Sequence, residues 1–257
     1  MNLSYWEIKS WFTNVDFTIV GSGIVGLSTA LFLNEKHPKA TILILERGML
    51  PYGASTKNAG FACFGSLSEI IDDLKSHTEQ EVYDLVQKRW EGLNLLRKIV
   101  GDKALDYQQL GGYELFNDNN VFDECYSNKD KVNGLLHAIF KKDVFSFNDD
   151  AFNFLKVNKK LAFNPFEGQI DTGKMMSELL RKVQSKGIKI LNSCNVESYI
   201  EAVNSVTVKT NIGEFATKKL LIATNGFANQ LLNLEVKPAR AQVLITKPIK
   251  DLSIRGT

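Results

Sequence analysis

Phe17-Thr-Ile-Val-Gly21-Ser-Gly23-Ile-Val-Gly26-Leu-Ser-Thr-Ala-Leu31 decides the fold, because an apolar run turns through three glycines directly into a helical pattern. It predicts a strand, a tight turn and a helix. The start of such a helix carries unpaired N–H groups and the positive end of the macrodipole, so it attracts a pyrophosphate. Gly21 permits the turn, Gly23 lets phosphates approach the backbone, and Gly26 lets the helix pack against the strand, with Ser22, Ile24 and Val25 completing the seat. A lone motif of this kind is weak. Here Ala40-Thr-Ile-Leu-Ile-Leu-Glu46 follows as a second strand, ending in an acid 20 residues beyond Gly26. Such an acid is placed to take both ribose hydroxyls of an adenosine. The alternative is an ordinary crossover with no ligand.

Working outward, residues 1–16 form a leader in which Trp6 and Trp11 are expected to tack it onto the domain surface. The first helix is read from about Ile24 to Asn34, burying Val25, Leu27, Ala30, Leu31 and Leu33, with His37-Pro38 ending it. Beyond Glu46, the stretch from Gly53 to Gly65 is small, polar and glycine-rich, with too little periodicity for a regular element. It reads either as a wrap around phosphates or a ring edge, or as a plain surface loop. From Glu79 to Val100 the apolar residues recur at three and four, predicting a long amphipathic helix closed by Gly101. Leu110 to Phe116 looks like a strand entered through a glycine turn, and residues 117–160 carry mixed signals.

A capped helix is expected after Asp171, ending at Gly187. Ile188–Leu191 and Ser205–Thr210 read as strands, the second entering a hairpin at Asn211-Ile-Gly213. Lys218 to Gly226 is a buried strand running into a small-residue turn, a candidate for the same parallel sheet. Lys237 to Thr246 is expected to begin another strand.

Composition bounds the answer. The chain has 257 residues, 44% of them hydrophobic and 23% charged, enough for one large domain or two interleaved ones. Lys plus Arg number 31 against 29 Asp plus Glu, so no strong field points to nucleic acid. Cys63, Cys125 and Cys194 are widely spaced and odd in number, and His37, His77 and His137 form no ligand cluster. That argues against a disulfide scaffold or a metal site and for a reducing cytoplasm. No stretch has the length to span a bilayer and none reads as a signal peptide, so a cytoplasmic protein is expected.

Taken together, Ser4-Tyr-Trp-Glu7, Gly21 to Gly26, Glu46, Ala54-Ser-Thr-Lys-Asn-Ala-Gly60, Gly168-Gln-Ile-Asp-Thr-Gly173 and Ala223-Thr-Asn-Gly226 resemble the D-amino-acid oxidase and glycine oxidase superfamily of FAD-dependent oxidoreductases. The branch most resembled acts on secondary amines and γ-glutamylputrescine. The resemblance implies an α/β fold, with a Rossmann-like FAD-binding domain and an interleaved α+β substrate domain that is incomplete here. It places the FAD-binding parts at 1–75 and 166–236, a substrate-domain segment with helices at 76–165, and the start of a return into that domain at 237–257. It also implies that the chain is an N-terminal portion of a longer protein.

Residue by residue, the resemblance gives the pyrophosphate to Gly21, Gly23 and Gly26, the ribose to Glu46 and the neighbourhood of the adenine to Arg47. Ser55 and Thr56 touch phosphate, while Lys57, Asn58, Ala59 and Gly60 border the pyrophosphate and the flavin ring. Val196 pairs its backbone with the adenine edge, and Thr224 and Gly226 pass close to the dinucleotide. The implied reaction is oxidation of the C–N bond of an amine or amino acid by hydride transfer to flavin, with O2 or another acceptor. A substrate carboxylate wants an arginine, for which Arg240 is a weak candidate against an ordinary ion pair, and Tyr113 is a second weak one. Cys63 is expected to be buried and inert rather than a covalent or redox site. Two rival readings stay open. One is an NAD-dependent dehydrogenase, which leaves the 53–65 loop unexplained; the other is a non-catalytic or tRNA-modifying flavoprotein module.

Overall fold

The computed structural model describes residues 3–150, 152–239, 241–247 and 249–257. The chain divides into two units that alternate along the sequence: residues up to Ala59 with Thr172–Leu244, and Gly60–Asp171 with Ile245–Thr257. Phe61 and Ala62 pair with Gln169 and Gly168 within the second unit.

The first unit begins with helix α1 (Tyr5–Trp11), strand β1 (Val15–Val20), helix α2 (Ile24–Lys36) and strand β2 (Ile42–Leu45). The second unit then contributes β3 (Phe61–Ala62), α3 (Leu67–Ser76), α4 (Glu79–Val100), α5 (Asp102–Leu105), β4 (Gly112–Glu114), α6 (Asn119–Phe140), β5 (Ser146–Asp149), β6 (Lys160–Asn164) and β7 (Gly168–Gln169). The first unit resumes with α7 (Thr172–Ser185), β8 (Lys189–Leu191), β9 (Val196–Glu201), β10 (Val206–Thr210) and β11 (Gly213–Ile222).

In the first unit the strand order is β8-β2-β1-β11-β10-β9, and the first four strands are mutually parallel. Runs such as Ile42-Leu-Ile-Leu45 are buried at every position, as strands covered on both faces require. The chain steps from β1 outward through β2 to β8, then resumes on the other side of β1 at β11. That reversal puts the switch point of the sheet between β1 and β11, where ligands of doubly wound sheets collect. β11 pairs along both edges within the one sheet: Thr217 is opposite Val206 of antiparallel β10 and Val15 of parallel β1. Val196, Val208 and Phe215 share one core with Leu43 and Leu45.

The second unit has a three-stranded antiparallel sheet, β4-β6-β5, and a core contributed mainly by α3, α4 and α6. An aromatic cluster lies at its centre. Phe140 stands 4.7 Å from Phe64 and 4.6 Å from Phe166, with Trp90 against all three. α4 matches its expected bounds and gains a capping box from Thr78 and Glu81.

Several expectations need correction. α2 runs on to Lys36, and its inward face is Gly26, Leu27 and Ala30, whereas Val25 is 66% exposed. The helix phase turns the glycine, not the valine, to the strand. Of the leader tryptophans, Trp11 packs against the core and Trp6 does not, and Phe12 supplies the buried anchor. Residues 119–140, unassigned from sequence, are one helix, and α3 and β9 were also not foreseen. No strand forms between 231 and 247 among the described residues, and Leu244 and Ile245 are each 96% exposed.

Candidate cofactor site

The turn behind β1 is shaped by what has no room. A Cβ on Gly21, whose φ is +103°, would sit 2.7 Å from the Ala223 carbonyl oxygen at the end of β11. One on Gly26 would run into the Gly21 carbonyl oxygen, and one on Gly23 would lie 2.9 Å from Ser55 Oγ. Glycine is therefore required at 21 and 26, where the obstacle is backbone, whereas at 23 the obstacle is a serine side chain.

The helix end is open to an anion. Leu27 N–H is the first α2 amide to bond back into the helix, to Gly23 O, leaving Ile24, Val25 and Gly26 ahead of it without intrahelical partners. Ser55 Oγ accepts from Ile24 N–H at 2.9 Å. A hydroxyl presented from the 54–56 turn thus sits where a phosphate oxygen would, and it can donate onward to one.

Glu46 is buried and serves as a clamp. One carboxylate oxygen accepts from Ser22 N–H (3.1 Å) and Ser22 Oγ (2.8 Å), and the other accepts from Gly48 N–H (2.9 Å). A carboxylate offers about four acceptor positions, so one is left for a ribose hydroxyl. The second expected ribose bond requires the Ser22 hydroxyl to let go. Cys194 N–H bonds to Glu46 O, which brings the 194–196 link beside this residue, and Val196 opens β9 opposite Thr210.

The remaining loop residues are held by their own segment. Thr56 Oγ1 donates to the carbonyls of Pro51 and Gly53, so this hydroxyl braces the loop rather than facing away from it. Asn58 Nδ2 donates to Ala54 O and Ser55 O, while its Oδ1 accepts from Thr172 Oγ1 at the start of α7. Lys57 Nζ lies 5.4 Å from the Tyr52 ring, and the Arg47 guanidinium stacks 4.3 Å from the ring of Phe227. Ala59 closes the first segment and Gly60 opens the second unit, its carbonyl accepting from Ile170 N–H at 2.8 Å.

Thr224 Oγ1 is buried with no hydrogen-bond partner among the described residues, beside the space above Gly21. A buried hydroxyl left unpaired is costly, and a ligand at the turn is what would satisfy it. Gly226 packs against Pro238. Two glycines with no room for a side chain, the first amides of α2, a buried acid at the end of β2 and an orphan hydroxyl together fit the pyrophosphate and ribose of a dinucleotide.

Outside this turn the assignments change. Arg240 lies outside the described residues. Tyr113 has its ring packed on Phe152 and Phe163 at 5.0 and 4.9 Å. Cys63 is exposed, contrary to expectation; its thiol is nonetheless pushed up, first by local desolvation and then by the carboxylates of Glu167 and Glu69. A nucleophilic or metal-binding thiol needs the opposite shift. Burial pushes the Cys125 thiol up to about 12. Three features escaped sequence reasoning: the Ser55 cap, the Glu46–Ser22 clamp and Glu167. The first two join residues 31 and 24 positions apart, and no local pattern announces them.

The family profile described as FAD dependent oxidoreductase matches residues 16–256. Among curated relatives, the bifunctional protein ThiO/ThiG of Synechocystis sp. is 24% identical over 239 residues, covering 90% of this chain and 33% of that protein. Among solved structures, glycine oxidase from Geobacillus kaustophilus superposes with a TM-score of 0.64 at 17% identity, covering 84% of this chain and 56% of that one. L-Amino acid deaminase from Proteus myxofaciens gives 0.61 at 21%, covering 84% and 46%. The chain thus spans between a third and just over half of these relatives. At such identities the superpositions establish the fold, and the profile, running over nearly the whole chain and through every part of the turn described above, places this chain in the FAD dependent oxidoreductase family.

Proposed function

We propose that this chain holds FAD at the turn behind β1, and that the enzyme it forms oxidises the C–N bond of an amine or amino acid, with O2 or another carrier as final acceptor. FAD held there would supply the hydride acceptor for oxidation of the substrate C–N bond to an imine, which water would hydrolyse. Gly21, Gly23 and Gly26 give the pyrophosphate its approach, and the first amides of α2 with Ser55 Oγ neutralise it. Glu46 takes a ribose hydroxyl, the Thr224 hydroxyl finds its partner on the dinucleotide, and Lys57 to Gly60 border the ring side. Val196 offers backbone to the adenine edge, with Arg47 near it. The amine reacts in its neutral form, whose lone pair assists loss of the hydride, its proton having passed to water or to a group of the enzyme.

The observation that carries this reading is the cradle in which Cβ atoms at Gly21 and Gly26 would meet backbone while Glu46 closes the strand beside it. The test is a cofactor titration followed by an anaerobic screen of amines and amino acids with the flavin-loaded full-length protein. Flavin binding with bleaching of its absorbance by at least one amine is expected. Retention of a nicotinamide cofactor instead overturns the cofactor assignment, and a flavin that stays oxidised with every amine overturns the reaction.

A further inference from the structure

The end of the first unit opposite the nucleotide turn is built differently, and the reading above does not use it. β1, β2, β8 and the paired half of β11 run the same way, so the residues at their starts share one end of the sheet. α2 begins at the nucleotide turn and returns to that end, bringing Lys36 with it. There, Lys36, Lys39, Lys218 and Lys219 line an open groove of about 650 Å3, floored by Phe17, whose ring stacks 5.5 Å from His37. Asp16 is the carboxylate within it, and it is already paired to Lys218 at 2.7 Å.

α1 lies at the same end, because Lys189 at the start of β8 donates to Ser10 O and stands over Trp11. This helix buries none of its own residues. Tyr5 and Trp6 are 66% and 69% exposed, Ile8 is exposed beside them, and Lys9 Nζ lies 5.7 and 5.5 Å from the two rings. The neighbouring acids are Glu7, whose carboxylate accepts from Ser4 N–H, and Glu35. Five lysines therefore gather at the end of the sheet where α1, with Lys9 over its own exposed tyrosine–tryptophan pair, also lies.

Tyrosine and tryptophan are amphipathic rings that settle at the level of lipid headgroups, and lysines beside them are drawn to an anionic leaflet. We propose that this face docks on the surface of a bilayer containing anionic phospholipids. Phosphates meet Lys36, Lys39 and Lys219, while Tyr5, Trp6 and Ile8 enter the headgroup region. The contact is peripheral, since no helix among the described residues is long and apolar enough to cross a membrane. Charge complementarity selects the bilayer, because the lysines give the attraction and the aromatic pair gives an insertion that a soluble polyanion would not use.

Vesicle co-sedimentation of the flavin-loaded protein tests this, with phosphatidylcholine alone against equal parts of phosphatidylcholine and phosphatidylglycerol. Binding to the mixed vesicles only, weakening as salt rises, is expected. Lys36→Glu with Lys39→Glu lowers partitioning roughly tenfold or more, and Tyr5→Ala with Trp6→Ala also lowers it, both with unchanged circular dichroism. The proposal is overturned if the protein ignores the anionic vesicles at low salt, binds both compositions equally, or binds undiminished in both variants.

Discussion

Glu46 and Glu167 are both carboxylates folded into this protein, one in each unit, and they are held by different kinds of donor. Glu46 accepts two backbone amides and one hydroxyl, all from residues fixed by the strand and turn around it. Among the described residues, Glu167 accepts from two side chains, Asn164 Nδ2 at 3.2 Å and Thr257 Oγ1 at 3.3 Å. Burial drives its pKa from 4.5 up to about 7, the two hydrogen bonds oppose the rise, and the carboxylates of Glu114 and Glu69 add to it. Backbone amides can hold a buried charge in place at no cost in side-chain ordering, whereas flexible donors among other acids cannot.

The same contrast holds for glycine, and it gives the largest expected effect. At Gly26 a Cβ meets the Gly21 backbone oxygen, which cannot move without dismantling the turn. Gly26→Ala should cost on the order of 3–5 kcal/mol of stability, if the chain folds at all, and abolish flavin retention. Thermal melting and flavin content check it. A melting temperature within a degree or two of the parent would mean that the helix and strand are not packed as described.

Next in size is Glu46→Ala. Two buried amides and the Ser22 hydroxyl lose their acceptor, and a ribose bond is lost, so FAD affinity should fall by about 2–4 kcal/mol, a factor of roughly 30 to 1,000. Ser22→Ala sharpens the point. It frees an acceptor position on the carboxylate, so affinity should hold or rise, and a loss as large as that of Glu46→Ala would show that the clamp itself is what the cofactor needs. Calorimetric titration with FAD separates the two.

The first unit was legible because its signals are local. Three glycines, the strand before them and the acid 20 residues on all lie within one β-α-β stretch, and the parallel placement of Lys219–Ile222 followed from an apolar run ending in small residues. The second unit hid α6 because a polar residue sits in its buried stripe. Asn133 is buried, donating to Phe145 O and accepting from the amides of Val144 and Phe145, so it fixes the following loop while breaking the apolar period. α3 carried a readable start in Ser66 and Glu69, whose reciprocal capping bonds are present. Ser55 at the α2 N-terminus and Glu167 against Thr257 are contacts across 31 and 90 residues, which no periodicity encodes.

Glu167 gives a pH-dependent test of the comparison. Its folded pKa lies above the ordinary value, so between about 4.5 and 7 the native state binds the extra proton, and stability falls as pH rises through that window. The fall should be on the order of 2–3 kcal/mol, complete somewhat above pH 7. Glu167→Gln, which keeps the shape without the charge, should flatten this part of the profile and leave the parent and variant most different at the alkaline end. Urea midpoints measured across that range decide it. Parallel profiles for the two proteins would show that the carboxylate is well solvated.

The smallest expected effect returns to glycine, in the second unit. Gly92 sits on the exposed side of α4, in the middle of a helix of 22 residues, and a Cβ there meets nothing within 4 Å. Gly92→Ala therefore keeps every native contact while removing conformational freedom from the unfolded chain, and should raise stability by about 0.5–1 kcal/mol. The sign matters more than the size. Identical chemistry at Gly26 destabilises, because there the glycine answers to backbone crowding, whereas at Gly92 it answers to nothing in the fold. If Gly92→Ala lowers the urea midpoint instead, the outer face of α4 is in contact with something its own unit does not supply.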